Sequence, residues 1–241
     1  MLEHRRLAET GSTNDDARAA FEAGASRPLL ISAGLQTAGK GRHGRAWSHD
    51  PDNFAGSFLV DTGEQARRVP GAVSLLAGLA VRDALIAEGA DPGALQLKWP
   101  NDVLVSGEKV AGLLSSFIQQ GTDVAMIIGI GVNLASPPGE TVFPARAVFA
   151  REHAPDPKLF GDQLGRRLLG LLAQLEEKGA WVILEAWRTH AWRLGEDITM
   201  RRDEGEGLSG RFEDIDQEGR LLLRLDDGSL ETIAAGDAAP R

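Results

Sequence analysis

The sequence predicts an α+β fold, in which a mixed sheet carries helices on one face and a small all-β barrel follows at the C-terminus. Three observations predict this class. Short apolar runs bounded by turn residues recur up to Asn133 and indicate strands that pair with one another. Two longer segments carry apolar residues at helical spacing. From Glu196 onward, short alternating runs are separated by glycine-containing turns, which is typical of a small barrel.

The elements of the first half follow in chain order. Ser12 or Thr13 is a suitable N-cap for a helix over 14–23. A broad apolar face predicts the strongest helix of this half at 72–87. Strands are predicted at 29–33, 54–60, 95–97 and 124–132, with a hairpin formed by 103–105 and 110–117 around Ser106–Gly107. Because the strands pair first with each other, the helices are expected on one face of their sheet.

The second half divides into helices and then short strands. Residues 137–157 are rich in proline and charge and indicate a connecting loop. A leucine stripe predicts a helix over 158–178, and a second helical stretch covers 181–192. Strands are predicted at 197–201, 208–216, 220–225 and 230–234. A chain of 241 residues exceeds the usual size of one domain, so we predict a large domain over 1–193 and a small one over 194–241.

The composition limits the classes of function. A formal net charge of −9 argues against broad nucleic-acid binding, which needs a net basic face. The absence of cysteine excludes disulfides, thiol catalysis and thiolate zinc sites. The five histidines show no metal-ligand spacing, so the metal ligands stay unknown. No apolar run approaches the ~18 residues of a membrane span, and no signal-peptide core follows the N-terminus. We therefore expect a cytoplasmic protein with no membrane partner.

The most informative segment is a glycine- and base-rich loop, Gln36-Thr37-Ala38-Gly39-Lys40-Gly41-Arg42-His43-Gly44-Arg45-Ala46-Trp47. Such a loop suits an anion, because glycine lets backbone N–H groups approach phosphate oxygens while the cations neutralise them. A P-loop is one competing interpretation, but position 41 lacks the hydroxyl that would hold Mg²⁺ and no helical pattern follows. A solvated surface loop is the other.

A second informative segment is Lys98-Trp99-Pro100-Asn101-Asp102. Most lysines are exposed and inert, and Lys98 taken alone would be one of them. Here Trp-Pro stiffens the backbone that follows the lysine, and Asn-Asp forms a turn that can aim polar groups into the same pocket. The pattern therefore indicates a positioned charge.

These two segments resemble the signatures of the biotin protein ligases. Three further matches occur in the same order: Ser12-Thr13-Asn14, Lys109-Val110-Ala111-Gly112 and Gly129-Ile130-Gly131-Val132-Asn133. The resemblance implies a catalytic domain similar to the class II aminoacyl-tRNA synthetases and an SH3-like C-terminal domain. It points to the monofunctional class without an N-terminal DNA-binding domain, because only a short segment precedes Ser12.

The resemblance also implies an activity. Biotin would be adenylated by ATP, with Mg²⁺, to biotinyl-5′-AMP and then transferred to a lysine of a biotin carboxyl carrier protein, with no nucleic acid involved and with a possible homodimer. Catalysis is expected of Lys98 and Arg42. Biotin contacts are expected from Ser12, Thr13, Asn14, Gln36, Gly39, Lys40, Gly41, Trp47 and Gly112. Contacts to ATP or the adenylate are expected from Arg42, Gly44, Arg45, Lys98, Asn101 and Asn133.

Two departures and two alternatives accompany this interpretation. Lys40 stands where the family mostly has arginine, and Asp52-Asn53-Phe54-Ala55 replaces a stretch that commonly reads Gly-Asn-Leu-Tyr. A lipoate or octanoate ligase or transferase shares the catalytic fold, and a biotin-sensing module without turnover is a non-enzymatic alternative. Locally, Ser12 also suits a plain helix cap, and Trp47 a core position.

Overall fold

The computed structural model describes residues 1–139, 143–201 and 207–241. The first part of the chain forms β1 (Glu3–Thr10), α1 (Thr13–Glu22), β2 (Leu29–Gln36), β3 (Phe54–Asp61), α2 (Glu64–Arg68), α3 (Pro70–Ala87), β4 (Leu95–Lys98), β5 (Asp102–Val105), β6 (Glu108–Gln120) and β7 (Asp123–Val132). It continues with α4 (Pro157–Lys178), α5 (Trp181–Arg188), β8 (Asp197–Arg201), β9 (Leu208–Ile215), β10 (Leu221–Arg224), β11 (Leu230–Ile233) and β12 (Asp237–Pro240). Single turns of 3₁₀ helix lie at Arg42–Gly44 and Arg151–His153.

The larger sheet has seven strands in the order β1-β2-β3-β7-β6-β5-β4. Strands β1 and β2 run parallel and the remaining neighbours run antiparallel, so the predicted mixed sheet is confirmed. The predicted hairpin of β5 and β6 around Ser106 and Gly107 is present, and both turn residues have positive φ. The sequence analysis missed β1, because this edge strand is mostly polar and mostly exposed and shows no clear apolar alternation.

Helices cover both faces of this sheet, which corrects one detail of the predicted arrangement. Helices α3, α4 and α5 share one face with the main core, as expected. Helix α1 lies on the opposite face, where Ala17 and Phe21 pack against Leu29, Ile31 and Leu59. Strand β2 is apolar at consecutive positions, so both of its faces need cover.

Helix α3 is apolar because it is a core helix. It is the one described helix that is long and apolar enough to span a bilayer by composition, and 67% of it is buried inside the fold. Helix α4 begins at the Asp156 cap, whose carboxylate accepts from the Lys158 and Leu159 amides. Gly179, with a φ of +85°, follows its last residue.

Helix α5 is shorter than the predicted stretch over 181–192. Residues that follow it pair with the outer edge of β4: Leu97 donates its N–H to the His190 carbonyl and accepts one from Trp192, both at 2.8 Å. A helical continuation would leave these β4 groups without partners, so the chain leaves the helix after Arg188. The same contacts cover part of one edge of the large sheet.

The C-terminal segment forms a second, antiparallel sheet in the order β11-β10-β9-β8-β12. Its core includes Ile198, Met200, Phe212, Leu221 and Leu223, and Trp187 of α5 packs beside Phe212. The predicted strands are present, and β12 is an additional strand that the sequence analysis did not predict. The division of the chain at 193/194 and the barrel form of the small domain stay predictions.

Candidate functional site

A cavity of about 820 Å³ lies between the segment 36–47, here called the basic loop, and the strands β2, β6 and β7. It is lined by all but one of the predicted site residues: Ser12, Thr13, Asn14, Gln36, Gly39, Lys40, Gly41, Arg42, Arg45, Trp47, Lys98, Asn101, Gly112 and Asn133. The exception is Gly44, which is exposed in the 3₁₀ turn with a φ of +72°. Its glycine suits that turn geometry and does not wall the cavity.

The floor of the cavity is made of glycines on neighbouring strands. Gly112 of β6 is the register partner of Gly131 of β7. The indole of Trp47 lies directly against both, since a Cβ on Gly112 would stand 2.8 Å from the ring and one on Gly131 would collide with it. Trp47 therefore packs on the ligand cavity and not in the core. Gly129, two residues earlier on β7, leaves room for the Asn14 amide in the same way.

One end of the cavity, the polar end, presents neutral hydrogen-bonding groups. Thr13 donates its backbone N–H and its hydroxyl to the side-chain oxygen (Oε1) of Gln36 at 2.8 and 3.0 Å, and its hydroxyl also contacts the Ser57 hydroxyl. Ser12 Oγ and Asn14 Nδ2 are buried without a hydrogen-bond partner among the described residues. Ser12 occupies the N-cap position of α1, but its side chain makes no capping bond. Unsatisfied buried polar atoms facing a cavity are typical of a ligand site.

The other end, the cationic end, is built around Lys98 and Lys109. Lys98 is 4% exposed, and its Nζ lies 3.7 Å from Asp102 and 4.1 Å from the centre of the Phe143 ring. Lys109 Nζ binds the other oxygen of Asp102 at 2.6 Å. Burial lowers the pKa of Lys98, with Lys109 adding to the fall and Asp102 opposing it. Two ammonium groups thus share one carboxylate at the cavity wall.

The basic loop contributes the remaining cations. Arg42 donates to the Asn101 side chain at 3.2 Å and to the Gly236 carbonyl at 3.4 Å. Arg45 pairs with Asp237 at 2.6 Å, so both arginines reach the β12 end of the second sheet.

Lys40 binds both oxygens of Asp15 at 2.7 Å, on the first turn of α1. Burial alone would raise the pKa of Asp237, but Arg45, Lys98 and Arg42 hold it below its usual value. Most of these cations are held by carboxylates that a ligand anion could replace.

The structure also adds residues that the sequence analysis did not name as candidates. The cavity lining includes Ser57, His49, Asp102, Phe143 and Asp237. Asp102 ends the motif that begins at Lys98; the sequence analysis placed it in a turn that aims polar groups into the pocket but assigned it no ligand contact. No sequence signal pointed to Asp237, which comes from the second sheet. The stretch 52–55, which departs from the family's usual sequence, contributes in two ways: Phe54 belongs to the core and packs on Phe160, while the Asn53 side chain binds the backbone of 135–136.

Two residues complete the description of the site. Asn133 is buried at the end of β7, and its side chain donates to the Arg146 carbonyl at 3.3 Å. The backbone of Lys109 binds the same segment, through Pro144 and Arg146.

Within 1–139, 143–201 and 207–241, no group of three or more histidine or acidic side chains could hold a metal ion.

Comparisons with known proteins agree on one family. The model of the family described as biotin/lipoate A/B protein ligase matches residues 10–133, and that of the biotin protein ligase C terminal domain matches 194–239. A biotin–acetyl-CoA-carboxylase ligase of Paracoccus denitrificans is 40% identical, covering 90% of this chain and 92% of that protein. The ligase of the same name from Mycobacterium tuberculosis is 34% identical, covering 96% and 86%.

Solved structures give the same result. The biotin protein ligase from Aquifex aeolicus in complex with biotin and ATP superposes with a TM-score of 0.81 at 25% identity, covering 98% of this chain and 97% of that one. The biotin protein ligase from Leishmania major in complex with biotinyl-5-AMP superposes with a TM-score of 0.69 at 24% identity and shows the shared fold.

Proposed function

Because this chain belongs to the biotin/lipoate A/B protein ligase family, we propose that it is a biotin ligase, which adenylates biotin with ATP and transfers the biotinyl group to a lysine of a carrier protein. The observation that carries the proposal is the division of one cavity into a polar end and a cationic end. A neutral urea suits the polar end, and the carboxylate at the end of its acyl chain suits the cationic end. The anionic nucleotide with which that carboxylate reacts suits the cationic end as well.

The polar end suits the ureido ring of biotin. A urea both donates and accepts hydrogen bonds, and the unpartnered Ser12 hydroxyl and Asn14 amide offer one of each kind. The glycine floor and Trp47 provide flat apolar contact beside them. The biotin carboxylate then extends along the strands toward Lys98 and Lys109.

In the first step, a carboxylate oxygen of biotin attacks the α-phosphorus of ATP, the bond to the β-phosphate oxygen breaks, and pyrophosphate leaves. Lys98 is placed to neutralise the charge that gathers on the α-phosphate oxygens, and its burial strengthens that interaction. Arg42 and Arg45 bind phosphate oxygens, with Asn101 orienting Arg42. The enzyme's contribution is mainly positioning and charge neutralisation.

In the second step, the neutral amine of an acceptor lysine attacks the carbonyl carbon of the mixed anhydride: the amide bond forms, the bond from that carbon to the phosphate oxygen breaks, AMP leaves, and the nitrogen gives up a proton to solvent. The adenylate is already activated, so the site needs to align it and keep water away. The basic loop lies over the cavity and is closed on itself by the Gly39–Trp47 and Gly41–Arg45 backbone bonds. It is suited to cover the intermediate until the acceptor arrives.

The acceptor in this proposal is the biotinyl domain of a biotin-dependent carboxylase, as the names of the relatives suggest. Mg²⁺ would enter with ATP, because Mg²⁺ is usually bound by phosphate oxygens, water and one or two carboxylates. Asp102, which lines the cationic end, would be the protein carboxylate nearest to the ion. A cytoplasmic location, a homodimer through a sheet edge and the absence of a nucleic-acid partner are further parts of the proposal that rest on the sequence.

Pyrophosphate release tests the proposal. The purified chain is mixed with ATP and Mg²⁺ and then with biotin, lipoate or octanoate. Release that depends on biotin supports the ligase. Release with lipoate or octanoate instead would assign the chain to the other branch of its family, and tight biotin binding without release would make it a sensor. A biotinyl domain added afterwards should gain one biotin.

A further inference from the structure

His49 is a buried histidine in the wall of the cavity, outside every motif of the sequence analysis. Its Nδ1 accepts the backbone N–H of Gln36 at 3.0 Å. Its Nε2 lies 3.2 Å from the Asn53 carbonyl oxygen. Because a carbonyl only accepts, Nε2 must carry the hydrogen and Nδ1 must be bare. The two contacts together require a neutral ring in one tautomer.

The Gln36 amide needs this partner because of the way β2 ends. Strand β2 pairs with β3 only as far as Ser32, whereas on its other side it stays paired with β1 up to Gln36. The neighbouring N–H of Thr37 points toward β1 and binds the Thr10 carbonyl. Successive strand N–H groups point to opposite sides, so the Gln36 N–H points where β3 has already turned away. The His49 ring replaces the missing strand.

Gln36 in turn orders the polar end. Its side-chain oxygen accepts two hydrogen bonds from Thr13, next to the unpartnered Ser12 hydroxyl. On the far side, Asn53 is fixed by three hydrogen bonds to the backbone of 135–136. His49 thus connects a rigid anchor to the residue that positions the ligand groups.

We propose that His49 is a positioning residue of the biotin pocket: its neutral ring holds Gln36 in place, and protonation of the ring releases Gln36 and weakens biotin binding. The inference rests on the proposed function. A protonated ring would turn an N–H toward the Gln36 N–H, and two donors cannot bind each other.

The surroundings set the direction of the pH dependence. Burial lowers the pKa of His49, the Asn53 contact and Asp50 oppose the fall, and Arg6 of β1 adds to it. Nearby Asp52 is paired with Arg151. A histidine whose pKa is lowered in the folded pocket stays neutral at and above the ordinary value of about 6.5 and charges only at lower pH. Binding should therefore be complete at neutral pH and fall on acidification.

The test compares the affinity of three proteins for one ligand that has no titratable carboxyl group. Biotinol, in which the biotin carboxyl is reduced to an alcohol, is titrated calorimetrically from about pH 8 to about pH 5, a range in which histidine is the side chain that normally titrates. The wild-type chain should lose affinity progressively toward the acid end of this range, and an affinity that stays constant across the whole range would overturn the proposal. His49→Asn places a carbonyl oxygen where Nδ1 stood, so it should retain affinity and lose the pH step. His49→Leu offers no acceptor and should bind weakly at every pH.

Nuclear magnetic resonance of the histidine ring nitrogens in the wild-type chain gives an independent readout. A ring protonated at Nε2 alone at neutral pH is expected, and an Nδ1–H tautomer or a charged ring would overturn the proposal. An unchanged pH step in His49→Asn would overturn it as well. If the wild-type chain bound no biotin compound at any pH, the proposed function would fail, and the ring spectra would still decide whether His49 holds Gln36.

Discussion

The two ends of the cavity are prepared for their ligands in opposite ways. At the polar end, Ser12 and Asn14 keep buried atoms without a partner among the described residues. At the cationic end, the buried Lys98 and the partly buried Lys109 share the carboxylate of Asp102, and Arg45 is paired with Asp237. An unpaired neutral group costs roughly 1–3 kcal/mol. An unpaired buried charge costs several times more, so it needs a substitute partner until the anion arrives.

This difference has a consequence for binding. A neutral ligand group at the polar end gains hydrogen bonds without displacing any. An anion at the cationic end must compete with Asp102 and Asp237, so part of its binding energy goes to exchange of partners. Removal of a polar group that binds the ligand should therefore weaken binding, whereas removal of a carboxylate that competes with the anion should strengthen anion binding.

The largest effect is expected for Lys98→Met. This variant removes the buried charge nearest the reaction, and adenylation should fall by roughly 100- to 1000-fold. Folding should not suffer, because burial already disfavours the ammonium and Asp102 keeps Lys109 as its partner. Pyrophosphate release measures the adenylation rate, and thermal unfolding measures the stability of the fold. Lys178→Met, an exposed lysine at the end of α4, is the control. Retention of adenylation within about threefold would remove Lys98 from the mechanism.

The same lysine predicts an alkaline limit to activity. The pKa of Lys98 is lowered by burial, and the charged form is the one that stabilises the phosphate. Adenylation should therefore fall as pH rises through that lowered pKa, sooner than for an exposed lysine. Lys98→Arg keeps its charge at every accessible pH, so its rate, although reduced, should show no such limit. The measurement is a pH–rate profile of adenylation for the wild-type chain and for Lys98→Arg. The same alkaline fall in both proteins would contradict the assignment of this limit to Lys98.

A second large effect is expected for Gly131→Ala on the floor of the cavity. The added methyl group would collide with the Trp47 ring, which must move. We expect a loss of biotin affinity of about tenfold or more, together with a change in tryptophan fluorescence. The control is Gly170→Ala in α4, where a Cβ meets nothing within 4 Å and where helix propensity favours alanine by about 0.5–1 kcal/mol. If Gly131→Ala and Gly170→Ala changed biotin affinity equally, Gly131 would have no special role in the floor of the cavity.

A feature could be predicted from the sequence when the residues that form it are neighbours in the chain as well as in space. The β5–β6 hairpin was predicted because turn and apolar alternation lie together in the sequence. Strand β1 was missed because its partner, β2, lies beyond α1 and its own residues are mostly polar. Helix α5 was predicted too long because the pairing of residues 190–192 with β4 is a tertiary contact.

The site shows the same limit. Lys98 and the basic loop carry their chemistry in short motifs, so the sequence was enough to propose them. Asp237 lies in the second sheet, and only folding brings its carboxylate to Arg45. His49 has no motif, and its part in the cavity wall follows from β3 leaving β2 after Ser32. Pairing across such distances leaves no local trace in a single sequence.

A smaller effect is expected for Ser12→Ala at the polar end. The Ser12 hydroxyl makes no capping bond, so its loss should leave thermal unfolding unchanged. Biotin affinity should fall by about three- to tenfold, the effect of one neutral hydrogen bond. Asp156→Ala is the matched comparison, since that side chain does cap α4; it should lower the free energy of unfolding by about 1 kcal/mol and leave biotin binding intact. If Ser12→Ala lowered the stability of the fold without lowering biotin affinity, Ser12 would be a helix cap and not a ligand contact.

The smallest effect, and the one with the opposite sign, is expected for Asp237→Asn. Its carboxylate is partly exposed and occupies Arg45, a predicted phosphate contact. Removing the charge should free the arginine for ATP and raise nucleotide affinity by up to about fivefold, because partly exposed ion pairs contribute at most about 1 kcal/mol. Asp226→Asn is the control: it breaks a similar pair with Arg241, at 2.7 Å, between residues that do not line the cavity. Nucleotide titration of both variants is the measurement. Weaker ATP binding in Asp237→Asn alone would mean that Asp237 takes part in holding the nucleotide, and that the cationic end is not merely neutralised by the protein in advance.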